Sequence, residues 1–196
     1  MKQASRYKIG VFGSAEKSPQ ENLDKASQIG KELASKNAIL ITGACNGLPY
    51  QAALAAYQNG AEIWEFSPCL SSKVQLLDTP GVDLSIYKKI FYIPKSFPFS
   101  DNRQICRKYR NVTSIANSDA GIIISGRWGT MNEFTNLYDM GKVIGVLTNT
   151  GGIADELPKL TQKISKPSKA KVIFSTSPKE LIDKIVRELK KQYNDF

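Results

Sequence analysis

Histidine is absent from this chain of 196 residues. Its absence excludes the Ser-His-Asp and Cys-His nucleophile systems, the HExxH metalloproteases and zinc sites with histidine ligands. Any catalysis must therefore come from carboxylates, arginine, lysine, tyrosine, hydroxyl groups or a bound cofactor.

Cysteine is scarce as well. The three cysteines, Cys45, Cys69 and Cys106, are odd in number and far apart in the sequence. This spacing indicates neither a disulfide framework nor a CxxC metal site. We expect no metal ion and no resident cofactor.

Long apolar runs are also missing. No stretch approaches the roughly 20 apolar residues that cross a bilayer, and the first residues, MKQASRYK, lack the apolar segment of a signal peptide. We therefore expect a cytoplasmic protein without a membrane partner. Hydrophobic residues make up 41% and charged residues 23% of the chain, a mixture typical of globular proteins.

Basic residues are in excess, with 27 Lys and Arg against 18 Asp and Glu and a net charge of +9. Such a surface favours anionic partners. The lysines are dispersed, with no basic stripe interleaved with aromatic residues, so nucleic acid is an unlikely partner. Only six arginines occur, and four lie in one segment: Arg103, Arg107, Arg110 and Arg127. Arginine suits bidentate recognition of phosphate or carboxylate groups.

Short apolar runs alternate with amphipathic stretches along the chain. Runs such as AILIT and GIIIS do not alternate with polar residues, which favours strands covered on both faces of a parallel sheet. We predict one doubly wound α/β domain over residues 1–196 with a mostly parallel sheet of about seven strands. The least regular segment, Ser67 to Lys88, is interpreted as a lid or a surface loop. The predicted strands are Tyr7–Phe12, Ala38–Thr42, Glu62–Phe66, Lys89–Ile93, Ala120–Ser125, Val143–Leu147 and Lys171–Phe174, and the predicted helices cover about 18–35, 49–58, 100–116, 130–140, 153–164 and 177–193.

Three turns that follow predicted strands contain glycine. They are Gly13-Ser14, the segment from Gly43 to Pro49, and the segment from Ser125 to Thr130. Ligands of such sheets bind beyond the carboxyl ends of the strands. In the third turn, Gly126 and Gly129 precede a helix, an arrangement that presents backbone N–H groups to an anion. This turn is therefore the expected phosphate site.

Thr130 and Glu133 also fit a structural role. Thr-x-x-Glu is a capping box, in which both side chains satisfy free N–H groups at a helix start. The chain has the same pattern at Ser18–Glu21 and Ser177–Glu180, each with proline after the serine. The local pattern favours capping over chemistry at Thr130 and Glu133 and leaves both open.

The arginine-rich helix predicted from Ser100 has two faces. Ile105, Tyr109, Val112 and Ala116 are expected on its apolar face, and Arg103, Arg107 and Arg110 on the opposite one. The arginine face is either solvated, or forms an anion clamp or subunit contact near the third turn.

The combination of these segments resembles a known family. Arg110-Asn111, Ser118-Asp119-Ala120 and SGRWGTMNE (Ser125 to Glu133) are similar to the signature of the Lonely Guy (LOG), or lysine decarboxylase-like, family: an arginine, an Asp-Ala strand and the motif PGGxGTxxE. IGVFGSA and ITGACNGLP resemble its first two glycine turns. The resemblance covers about residues 7 to 150 and places the chain in the SLOG superfamily.

The resemblance implies a Rossmann-like subunit, a homodimer, and binding of a nucleoside 5′-monophosphate such as AMP. It implies hydrolysis of the N-glycosidic bond to free base and ribose 5-phosphate. By position, Arg110 and Glu133 are the catalytic residues, and Arg110 either anchors the phosphate or orients Glu133. The implied nucleotide-binding residues are Gly13, Ser14, Gly43, Gly47, Ser125, Gly126, Arg127, Gly129 and Thr130.

The chain departs from the family motif at several positions. Ser125 replaces the proline of the motif, Arg127 replaces a glycine, and Asn111 replaces a lysine found in plant-type enzymes. The same superfamily includes a molybdenum-cofactor carrier and a DNA-processing protein. The alternative function is therefore a protein that binds or carries a nucleotide or molybdenum cofactor without catalysis.

Overall fold

The fold is one seven-stranded sheet in which every pair of neighbouring strands is parallel. The computed structural model describes residues 6–164 and 166–194. The spatial order of the strands is β4-β3-β2-β1-β5-β6-β7. The strands are β1 Lys8–Gly13, β2 Ile39–Gly43, β3 Glu62–Phe66, β4 Lys89–Phe91, β5 Ala120–Ile124, β6 Val143–Leu147 and β7 Lys171–Ser175.

Helices cover both faces of this sheet. They are α1 Gln20–Ser35, α2 Gly47–Gln58, α3 Ser72–Asp78, α4 Arg103–Ala116, α5 Trp128–Asp139, α6 Ile153–Lys163 and α7 Pro178–Asn194, with a 3₁₀ turn at Leu84–Ile86. Strands β2, β5 and β6 are buried along their whole length, because helices lie above and below them. The predicted doubly wound α/β architecture is confirmed.

Two apolar cores lie on opposite faces of the sheet. The larger one includes the buried sides of α1, α2 and α7, and the smaller one joins α5 and α6 to the sheet. Leu181, Ile182 and Ile185 recur at helical spacing on α7 and belong to the larger core, where they have no exposed surface. Within the described residues, no helix is both long and apolar enough to cross a membrane.

The predicted capping boxes do not form as expected. Helix α1 begins at Gln20, and Ser18 donates to the carbonyl of Glu16 instead of capping it. At α7, Ser177 accepts the N–H of Glu180 at 3.4 Å, but the Glu180 carboxylate accepts a bond from Ser175. Pro19 is the N-cap residue of α1, so Ser18 lies one position too early to cap the helix.

The segment from Ser67 to Lys88 is more ordered than a loop. It contains α3 and the 3₁₀ turn, and Gln75 is completely buried. The amide of Gln75 donates to the carboxylate of Glu65 on β3 at 2.6 Å. This buried bond fixes α3 beside the carboxyl end of the sheet, where it forms one wall of the cleft described below.

Candidate functional site

A cleft of about 540 Å³ opens at the carboxyl edge of β1, β2 and β5. Its walls come from the three glycine turns, the arginine-bearing side of α4, the end of α3 and the first turns of α5. The strand order reverses in this region, since β1 lies between β2 and β5. The cleft therefore occupies the position where parallel α/β sheets bind their ligands.

The third turn bends sharply between β5 and α5. Ser125 and Gly126 both have positive φ angles, of 53° and 96°. A Cβ atom on Gly126 would lie 2.3 Å from the Thr130 hydroxyl, so the turn closes tightly over that side chain. The first-turn N–H groups of a helix have no partner within it, and Gly129 and Thr130 of this turn line the cleft.

The capping interpretation of Thr130 and Glu133 is wrong. Helix α5 begins at Trp128, with Arg127 as its N-cap residue and no side-chain cap bond. Thr130 is therefore the third helical residue and is buried beneath Gly126. Glu133 points away from the helix start and contacts Arg110. Two residues of additional helix, which the pattern did not reveal, move both side chains out of capping positions.

Arg110 and Glu133 form an ion pair inside the cleft. The Arg110 Nη1 atom lies 3.4 Å from Glu133 Oε1, and the two side chains are only 13% and 8% exposed. The guanidinium crosses above Gly43, where a Cβ atom would lie 1.6 Å from Nη1. The second turn therefore needs glycine at this position to admit the arginine. Arg110 Nε is buried without a hydrogen-bond partner among the described residues.

Burial dominates the electrostatics of this pair. It raises the pKa of Glu133 to about 7, against the opposing influence of Arg110 and Lys108. A carboxyl group with a pKa near neutrality can take up and release a proton at physiological pH. Burial also raises the pKa of the Cys45 thiol to about 12, which keeps it protonated and unsuited to nucleophilic attack.

The first two turns are locked together. Leu48 N donates to the Ser14 carbonyl at 2.9 Å, and a Cβ atom on Gly47 would lie 2.3 Å from that same oxygen. Gly13 packs equally tightly on the Ile124 carbonyl. These glycines allow the backbones of the turns to approach closely enough to form one continuous floor.

The structure brings most of the expected site residues into one cleft. Those that line it are Gly13, Ser14, Gly43, Arg110, Arg127, Gly129, Thr130 and Glu133. Gly47, Ser125 and Gly126 lie behind this lining and shape the turns. A Cβ atom on Gly129 would meet open space, so the backbone there faces the cleft directly.

The apolar stripe predicted on α4 is not the side that packs against the protein. Val112 is 42% exposed, and Ala116 is also exposed. Asn111, Ser114 and Ile115 are buried instead. Asn111 donates to the Asn132 side chain at 3.0 Å, and Ser114 donates to the Asn111 carbonyl, so hydrogen bonds compensate their burial. The predicted arginine face of α4 lines the cleft, where Arg103 and Arg107 keep exposed side chains.

Two further ion pairs lie at the cleft walls. Arg127 Nη2 is 2.6 Å from Glu16 Oε1, and this pair joins the third turn to the loop after β1. Arg103 of α4 pairs with Asp78 at the end of α3. Arg107 and Lys108 also line the cleft and have no ion-pair partner in the part of the chain that the structure describes.

Sequence reasoning missed the contribution of α3 and of Glu65. Asp78 and Thr79 line the cleft, although the segment that contains them has no strong periodicity. Glu65 is fully buried on β3, and burial raises the pKa of its carboxyl group to about 7. An acidic residue inside an apolar strand was the available signal. Among the described residues, no group of three or more Cys, Asp or Glu side chains is placed to hold a metal ion.

Comparison with known proteins places the chain in a family. A sequence profile described as the SLOG cluster4 family matches residues 6–87 and 104–182. A comparison with curated protein sequences gave no significant match. The match supports the SLOG superfamily expected from the glycine turns.

Solved structures share the fold at low sequence identity. TM1055, a structural genomics target, has a TM-score of 0.74 at 18% identity, with 93% of this chain and 99% of that chain covered. The Moco carrier protein of Chlamydomonas reinhardtii has a TM-score of 0.66 at 18% identity, with 96% and 99% covered. DNA processing protein A of Helicobacter pylori, whose structure describes a single-stranded DNA binding mode, has a TM-score of 0.61 at 20% identity, with 93% and 81% covered.

Proposed function

The chain belongs to the SLOG cluster4 family, and on that premise we propose that it binds a nucleoside 5′-monophosphate and hydrolyses its N-glycosidic bond. The products are the free base and ribose 5-phosphate, as the resemblance to the Lonely Guy family implies. The observation that carries this proposal is the buried Arg110–Glu133 pair beside the N-terminus of α5.

Phosphate binding is assigned to the third turn. The free N–H groups of the first turn of α5 and the helix dipole favour an anion there. Gly129 exposes its backbone to the cleft, and the Arg127 guanidinium extends from the same turn. A phosphate on these amides would place the attached ribose further into the cleft, towards Glu133.

Glu133 is assigned to the chemistry at the sugar. Cleavage of the bond between C1′ and the base builds positive charge on the ribose, as in other glycoside hydrolyses. The Glu133 carboxylate stabilises this charge and accepts a proton from the attacking water, whose oxygen forms the new bond to C1′. The leaving nitrogen of the base takes up a proton from solvent, and Glu133 then releases its proton to solvent. Arg110 orients the carboxylate and favours its ionised form.

Glu133→Gln tests this assignment directly. Wild-type protein incubated with AMP is expected to release adenine, detected by chromatography, and the variant should release about 100-fold less or worse. Calorimetry should show that the variant still binds AMP, because its phosphate site is unchanged. Glu156→Gln, on the exposed side of α6, is the matched control and should retain full activity. Adenine release by Glu133→Gln at the wild-type rate would refute the catalytic role.

A non-catalytic binding or carrier protein is the second candidate. Arg127 stands where the Lonely Guy motif has glycine, and its ion pair with Glu16 spans two of the turns that line the cleft. This arrangement suits retention of an anionic ligand, and Moco carrier proteins share the fold. Tight AMP binding by the wild type without any adenine release would favour this candidate.

The homodimer expected from the resemblance remains part of the proposal. The stripe formed by Ile105, Tyr109, Val112 and Ala116 on α4 lies partly or fully exposed. Trp128, at the adjoining start of α5, is 83% exposed. Together they offer apolar surface for a second copy of the chain, and light scattering after size-exclusion chromatography measures the resulting mass.

Nucleic acid was not an expected partner, but the fold does not argue against it. DNA processing protein A shares the fold, and Arg107 and Lys108 line the cleft without an ion-pair partner among residues 6–164 and 166–194. Binding of single-stranded DNA through such cations would weaken steeply with added salt. The affinity for a mononucleotide depends less on salt concentration, because a mononucleotide carries fewer phosphates than single-stranded DNA.

A further inference from the structure

The cationic side of the cleft extends well beyond the phosphate site on α5. Resting on the proposed nucleotide-binding function, we propose that the ligand is a nucleotide with a second phosphate group, which α4 binds through Arg103 and Arg107. The first phosphate lies at the third turn, and the second lies along α4.

The spacing of the cations on α4 supports two separate anion positions. Arg103, Arg107 and Arg110 all line the cleft, and the first and last are seven residues apart. At 1.5 Å per residue, they cover about 10 Å along the helix axis. One phosphate on the amides of α5 is too small to reach this whole row.

The partners of these arginines separate the two positions further. Arg110 contacts Glu133 of α5, one turn beyond the expected phosphate site. Arg103 contacts Asp78, which belongs to the opposite wall formed by α3. Arg107 lies between them in sequence and has no ion-pair partner among the described residues. An uncompensated guanidinium inside a cleft is suited to bidentate binding of a phosphate.

The wall that holds Arg103 is rigidly anchored. Gln75 donates to the buried carboxylate of Glu65, and this bond fixes α3 to β3. Asp78 at the end of the same helix therefore has a defined position, and through its ion pair it directs Arg103 along the cleft. A second phosphate would meet one arginine, Arg103, that is already oriented, which lowers the entropic cost of binding.

Calorimetric titrations test this proposal with four probes: AMP, ADP, adenosine 3′,5′-bisphosphate and the dinucleotide pApA. At a fixed salt concentration near 0.15 M, we expect the wild type to bind at least one probe with a second phosphate about tenfold more tightly than AMP. The preferred probe reveals whether the second phosphate is adjacent to the first, across the ribose or on the next nucleotide.

Arg107→Ala is the decisive variant, because its side chain is exposed and carries no ion pair that folding requires. It should weaken the binding of the preferred probe at least fivefold more than the binding of AMP. Arg187→Ala on the exposed side of α7 removes the same charge far from the cleft and should change neither affinity.

Four other outcomes contradict a part of the argument. Equal affinity of the wild type for all four probes, or an equal loss of all of them in Arg107→Ala, would overturn the second phosphate site and leave nucleotide binding intact. An equal loss in Arg187→Ala would show a general charge effect and would also overturn it. Failure of every probe to bind would refute the proposed function itself.

Discussion

Helices α4 and α7 have similar amphipathic sequences and opposite outcomes. In α7, Leu181, Ile182 and Ile185 are fully buried as their spacing predicts. In α4, the corresponding apolar stripe includes Val112, which is 42% exposed, while the polar residues Asn111 and Ser114 are buried. The same sequence pattern is therefore buried in α7 and largely exposed in α4.

The difference lies in what each helix contacts. Helix α7 packs on β6 and β7 and on α1, where only apolar side chains gain from burial. Helix α4 borders the cleft, and its arginines gain from the carboxylates of Glu133 and Asp78. Hydrogen bonds from Asn111 and Ser114 then offset the free-energy cost of burying the polar side of the helix. An apolar stripe determines which side of a helix is buried only where no carboxylate pairs with arginines on another side.

The largest expected effect is a difference in stability loss between substitutions in the apolar stripes of α7 and α4. Ile185→Ala should lower the free energy of unfolding by about 2–5 kcal/mol, because Ile185 is buried against Gly145. Val112→Ala on α4 should change it by less than about 1 kcal/mol, since that side chain is largely solvated. Urea unfolding measures both values. Similar losses at the two positions would show that the α4 stripe is buried in the protein in solution.

The pH dependence of stability should also differ between the two regions. The pKa of Glu133 is raised to about 7 from its ordinary value of 4.5, so the folded protein binds more protons than the unfolded chain between these values. Its stability therefore falls as pH rises through that window, by at most about 3 kcal/mol for such a shift. On α7, by contrast, hydrogen bonds from Lys184 and Lys36 lower the pKa values of Glu180 and Asp183.

The α7 carboxylates consequently contribute stability that is lost only as pH falls through their folded pKa values. Urea unfolding over a pH series distinguishes the two signs. Glu65, whose pKa is also raised to about 7, contributes to the same decline. Glu133→Gln should therefore reduce the decline between about pH 5 and pH 7 without abolishing it, whereas Glu180→Gln should leave it unchanged. An unchanged decline in Glu133→Gln would contradict the raised pKa of the cleft carboxyl group.

Gly43→Ala tests the passage of Arg110 above the second turn. The new Cβ would lie 1.6 Å from the present position of Arg110 Nη1, so it would displace the guanidinium and disturb its buried ion pair with Glu133. Adenine release should fall about 10-fold or more, because Glu133 loses its orienting partner. In an Arg110→Ala background, the same change should have no additional effect on the rate.

Much of the fold could be predicted from local patterns. The run Ala120–Ile124 consists of glycine, alanine and isoleucine, and only a strand buried on both faces suits it. Helix α3 could not be predicted in the same way, because its seven residues are too few to show a helical period. Its position depends on the bond between Gln75 and Glu65, which are ten residues apart and meet only in the folded chain.

Some features of the candidate site could be predicted from the sequence, and others could not. The glycine turns and the choice of Arg110 and Glu133 as site residues followed from the motif, and both residues line the cleft. Their direct contact was only one of two alternatives for Arg110. The roles of Thr130 and Glu133 at the start of α5 were assigned incorrectly, because helix boundaries depend on the turn that precedes them. The ion pair between Arg127 and Glu16 joins residues 111 positions apart, and no local sequence pattern predicts it.

Local sequence patterns were sufficient to predict the seven strands, six of the seven α-helices of the described residues, the parallel sheet and the location of the glycine turns. These features depend on apolar runs and backbone freedom, which act over a few neighbouring residues. The side of α4 that faces the protein, and the carboxylate that each arginine meets, became visible only in the folded chain. Those choices depend on burial and on charges from distant segments, and both come into existence only when the chain has folded.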